Sequence, residues 1–148
     1  MPCEATTLKD GSLAYVRVSG SAVIRDPYDA LLHLSQMGKL RPGMPVIVDL
    51  QDVEEFQSDG LDVTRFNLEV DGLMRLFGEE TLMIIHAPHP LSREMARVMR
   101  DAWVRSKVVL VRIGMDELGC LMILARHERS FSELIFEPIP RSVCQTDA

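Results

Sequence analysis

Along the chain, apolar residues alternate between two rhythms, short blocks of strand formers and longer stretches spaced at helical intervals. Leu13-Ala14-Tyr15-Val16-Arg17-Val18 is bounded by Gly11-Ser12 and Ser19-Gly20 and predicts a first strand. Ala22-Val23-Ile24 suggests a short second one. Asp26-Pro27 then offers a helix start, with Asp26 as N-cap and Pro27 in the first turn. Tyr28, Leu31, Leu32, Leu34 and Met37 follow at helical spacing until Gly38. Val46-Ile47-Val48-Asp49-Leu50 is a short apolar run with an acid near its end, as a strand covered on both faces would be. A loop is expected after it.

Val63, Phe66, Val70, Leu73, Met74 and Phe77 fall on one helical face, predicting a long second helix from Asp59 to Phe77 that Gly78 closes. Thr81-Leu82-Met83-Ile84-Ile85 reads as another buried strand, and the prolines of His86-Ala87-Pro88-His89-Pro90 force a loop. Leu91, Met95, Val98, Met99, Ala102 and Trp103 mark a third helix, with Arg93, Arg97, Arg100 and Arg105 elsewhere on its surface. Val108 to Ile113 is the last strong strand, and Asp116 caps a fourth helix reaching about Ala125. Strand and helix therefore alternate, which predicts an α/β fold with a mostly parallel sheet of four or five strands and about four helices. With 148 residues there is room for a single domain. Its core is expected over about residues 11–126, with a C-terminal extension over 127–148 whose Phe131, Leu134, Ile135 and Phe136 pack on the domain or a neighbouring subunit.

Composition narrows the functional classes. Hydrophobic residues make up 47% and charged residues 26%, an ordinary globular balance. A net charge of -6, with no continuous basic stripe, argues against nucleic acid and against an anionic membrane surface. No apolar stretch approaches the roughly 20 residues of a membrane span. The start, Met1-Pro2-Cys3-Glu4-Ala5, lacks a secretory pattern, so the expected location is cytoplasmic. Cys3, Cys120 and Cys144 are widely separated and read as free thiols.

Candidate chemistry is sparse. The chain has no Gly-rich phosphate loop and no Gly-x-Ser-x-Gly turn. The acids from Asp52 to Asp62 do not supply the order of a calcium loop, and His86 with His89 is too small a set for zinc. The expectation is a protein without metal or cofactor, and not an enzyme. His86 and His89, at the end of a strand, are candidate ligand contacts. Met95, Met99 and Trp103 would line an apolar site for a lipid or small molecule, although side chains so spaced are more often core.

The segment Asp49-Leu50-Gln51-Asp52-Val53-Glu54-Glu55-Phe56-Gln57-Ser58-Asp59-Gly60-Leu61 resembles the signature of the STAS family, also called SpoIIAA-like, which includes the anti-sigma factor antagonists. In that family a strand ends in Asp-Leu, a Val follows, and Asp-Ser-Ser/Thr-Gly-Leu opens a long helix. Asp49, Leu50, Val53, Ser58, Gly60 and Leu61 match at that spacing, and the order of elements agrees from about Leu13 to Ala125. The resemblance implies a non-enzymatic interaction and regulatory module, with a kinase or anti-sigma type of protein partner and a homodimer as further expectations. It places the partner-facing surface at Asp49, Phe56, Ser58, Asp59 and Gly60. The second Ser/Thr of the family's turn is its phosphorylation site, and here that position is Asp59, a permanent anion that no kinase switches. Ser58 keeps the first serine, and Gln57 stands where the family has an acid. The alternative is a SpoIIAA-like domain that binds a small molecule or lipid.

Overall fold

A computed structural model describes residues 3–8, 10–57, 63–77, 80–103 and 109–136. The strands are β1 (Cys3–Thr7), β2 (Ala14–Val23), β3 (Val46–Gln57), β4 (Thr81–His86) and β5 (Val109–Gly114). The helices are α1 (Asp26–Gln36), α2 (Val63–Phe77), α3 (Pro90–Trp103), α4 (Glu117–Ile123) and α5 (Phe131–Phe136). The fold is thus α/β, and its five strands form one sheet in the order β1-β2-β3-β4-β5, parallel from β2 to β5 with β1 antiparallel on the edge.

Sequential strand order has a direct consequence for layering. When each parallel strand is laid beside the one before it, crossovers of one hand all fall on the same face. Leu31 and Leu34 of α1, Phe66, Val70 and Leu73 of α2, and Met95, Met99 and Trp103 of α3 accordingly share one core with Val16, Val48 and Ile85. The opposite face is closed by the two helices after β5. Cys120 and Leu121 of α4 and Phe131 and Leu134 of α5 pack there on Leu8, Leu13, Tyr15, Ile47 and Ile84. Strand alternation sends neighbouring residues to the two faces, so Val46, Val48 and Leu50 enter the first core while Ile47 enters the second.

Several expectations are corrected. Cys3–Thr7, which carries no strong strand pattern, becomes β1 because it pairs along β2 from Ala14 to Val18. The two strands expected at Leu13–Val18 and Ala22–Ile24 are one strand, β2, which passes through Gly20 at φ +67 without ending. The expected loop after Leu50 is strand as far as Gln57, because β2 accompanies it as far as Val23. Asp26 is the first residue of α1 and not its N-cap; its Oδ2 accepts from the Val23 amide instead, at 2.9 Å. The helices number five among the described residues, and α5, within the expected extension, belongs to the second core.

Candidate functional site

Beside the carboxyl end of β4, on the face covered by α4 and α5, three polar side chains from three consecutive strands meet. Tyr15 from β2 donates its phenol to Asp49 Oδ2 at 2.5 Å. His86 from β4, the register partner of Asp49, places Nδ1 2.8 Å from Asp49 Oδ1. The Gln51 amide donates to the same Oδ1 at 3.1 Å. A carboxylate has no hydrogen to give, so Nδ1 of His86 is the donor. Asp49 is 0% exposed and His86 2%. The Phe131 ring of α5 stands T-shaped to both aromatic partners, with centroids 5.6 Å from Tyr15 and 5.1 Å from His86.

The electrostatics of this cluster work against reactivity. Burial, followed by the Asp49 charge and hydrogen bond, pushes the Tyr15 phenol well above its ordinary range. Cys120 lies close by, over Gly114, the register partner of His86. A Cβ on Gly114 would stand 2.4 Å from Cys120 Sγ, so glycine is what lets α4 approach the sheet this closely. Burial first, and then Asp116, Asp49 and Glu117, push the Cys120 thiol up to about 12. Reactive cysteines need the opposite surroundings, positive and partly exposed. Tyr15 and Cys120 hold their protons, and the cluster ties β2, β3 and β4 together beneath α5.

The two histidines do not act together. Ser92 donates its amide to His89 Nδ1 at 3.2 Å, so the His89 proton sits on Nε2, 3.1 Å from the Gln51 carbonyl that accepts it. His86 and His89 thus serve different partners. Among the described residues, no group of three or more His, Cys, Asp or Glu side chains could hold a metal ion. Met95, Met99 and Trp103 are at most 1% exposed and fill the first core between α3 and the sheet.

Of the expected partner-facing residues, Asp49 is a correction. Its carboxylate is fully buried in the Tyr15 and His86 network, and it contributes no surface. Phe56 is half-buried against the first core. Ser58, Asp59 and Gly60 lie outside the described residues. The sequence marks Tyr15 only as part of a strand and Phe131 only as a packing residue. The available signal was a polar residue closing each of two apolar blocks, Asp49 after Val46-Ile47-Val48 and His86 after Met83-Ile84-Ile85, at the same level of adjacent strands.

Past Asp49 the strands continue as a ribbon of two. β4 pairs only with Val46 to Asp49 of β3, and β1 reaches only to Val18 of β2. Among the described residues, Ser19–Val23 and Asp52–Gln57 then pair only with each other, with two register irregularities. One face of this ribbon is roofed through Ala22, Val53 and Phe56. The other carries the exposed Glu54, Glu55 and Gln57 and the ion pair of Arg17 with Asp52. Beneath it α1 and α2 are tied together, since Arg25 bonds Glu69 at 2.9 Å and the Tyr28 hydroxyl donates to the Glu69 carbonyl at 3.0 Å.

No helix among the described residues is long and apolar enough to cross a membrane. Compared with known proteins, the chain is matched by no family model, no curated protein and no solved structure.

Proposed function

We propose that the protein is a cytoplasmic, non-enzymatic interaction module, similar in kind to the STAS domains, that presents the end of the β2–β3 ribbon to a protein partner. The carrying observation is the ribbon itself. It is rooted in the buried Tyr15–Asp49–His86 network, roofed by the first core, and exposed at Glu54, Glu55 and Gln57. Such a platform offers a rigidly mounted polar surface leading directly into the segment that resembles the STAS turn. The protonated state of Tyr15 and Cys120 and the closure of Asp49 and His86 under Phe131 favour this reading over an enzymatic one. The filling of the first core by Met95, Met99 and Trp103 favours it over an apolar ligand between α3 and the sheet.

Asp59 stands at the position of the family's switchable residue, so the module is expected to hold one constitutive binding state. Affinity capture with the native chain and with Asp59→Ser tests this. The expected result is a partner retained by the native chain and lost or exchanged by the variant. Identical partner sets would count against the reading.

A further inference from the structure

We propose that the edge of β3 from Asp52 to Gln57, against which no described strand lies, receives an extended, Lys- or Arg-rich segment of a partner protein, which adds to the sheet as a further strand. The inference rests on the interaction-module reading and deepens it by giving the partner its chemistry. β3 has twelve residues, of which β4 takes up the first four, while β2 runs beside the other edge as far as Gln57. The β4-side edge therefore continues beyond its neighbour. Its first position is closed, because the Gln51 amide donates to Asp49 Oδ1 and the Gln51 carbonyl accepts from His89 Nε2. From Asp52 onward no described strand lies against that edge. An unpaired strand edge is a template for an extended peptide, whose main chain supplies the hydrogen bonds.

Charge decides which peptide. Asp52 is held by Arg17, whereas Glu54 and Glu55 are exposed and have no ion-pair partner among the described residues. A second copy of this chain would bring its own Glu54 and Glu55 to the edge, and like charges on adjacent strands repel. A basic segment reverses the sign of that term, and the net charge of -6 draws it in. The register irregularities place additional residues in β3, between Asp49 and Asp52 and between Val53 and Glu55, so the added strand follows a bulged edge. The β2 edge at Ser19–Val23, against which no other described strand lies, is a poorer template. Gly20 there is left-handed at φ +67, and the Val23 amide is already donated to Asp26.

The test is fluorescence anisotropy with a labelled peptide of alternating lysine and valine, about eight residues long to match a typical strand. A second peptide has the same sequence with alternate backbone amides N-methylated in either register, which keeps the charge and blocks the ladder. The expected result is binding of the first peptide and affinity weaker by about tenfold or more for the methylated forms. Glu54→Lys/Glu55→Lys is expected to weaken the first peptide by a similar factor while leaving the unfolding midpoint in place. Absence of binding, equal binding of the methylated peptides, or indifference to the charge reversal would each overturn the proposal. Should the peptide fail while capture still responds to Asp59→Ser, the edge proposal falls and the module stands. Should capture not respond, the module reading itself falls.

Discussion

Asp49 is the residue with most to lose, because three donors converge on a carboxylate that is 0% exposed. Asp49→Ala strands the Tyr15 hydroxyl and the His86 Nδ1–H without an acceptor in the interior, and each buried donor left unsatisfied costs about 1–3 kcal/mol. Tyr15→Phe removes one donor and leaves His86 in place; a hydrogen bond to a charged group contributes about 1.5–3 kcal/mol, so its cost is the smaller. Urea unfolding of both variants checks the ranking, and a Tyr15→Phe loss equal to that of Asp49→Ala would show that the network is not centred on the carboxylate. The thiols give a second residue-level expectation. Burial and nearby acids push both Cys3 and Cys120 from 9.0 to about 12. At pH 8 their thiolate fraction is therefore about a thousandfold below that of the unfolded chain. Alkylation with iodoacetamide, read by peptide mass spectrometry, is expected to spare both in the native protein and label both in urea. Rapid native labelling of Cys120 would contradict its placement.

Among the elements, α4 depends on a glycine that belongs to another element. Gly114→Ala sets a methyl 2.4 Å from Cys120 Sγ, and overpacking of this kind typically costs about 1–3 kcal/mol. Cys120→Ala removes the obstructing sulfur, so the double variant is expected to recover part of the Gly114→Ala loss in a thermal-unfolding cycle. Strict additivity would mean that the two positions do not touch. Elements differ in how far the sequence exposes them. α3 and β4 were readable from local pattern, because a helical stripe and a strong apolar block each need only neighbours in sequence. β1 was not, since Cys-Glu-Ala-Thr-Thr becomes a strand by pairing with β2. The extension of β3 through Glu54 and Glu55 was hidden for the same reason, an acidic stretch held extended by a strand more than thirty residues earlier.

For the whole molecule, the same buried acids set a limit on alkaline stability. Cys3, Cys120 and Tyr15 keep their protons in the fold above the pH at which the unfolded chain releases them, near 9.0 for the thiols and 10.0 for the phenol. A raised folded value means stability that is fully present below the unfolded value and lost as pH rises above it. The midpoint of thermal unfolding is therefore expected to be level from pH 7 to 8.5 and to fall progressively from about pH 9, less steeply above pH 10 in Tyr15→Phe. A flat profile to pH 11 would show that these groups are open to solvent. By itself, the sequence determined the alternation of strand and helix, the apolar faces of α2 and α3, and the polar ends of the β3 and β4 blocks. Those features arise from local spacing and side-chain chemistry. Only the tertiary structure decided that three helices share one face, that α5 closes the other, and that Asp49 is an interior anchor beside Tyr15 and His86. These depend on strand order and register, which bring together residues 34 and 37 positions apart that no local pattern relates.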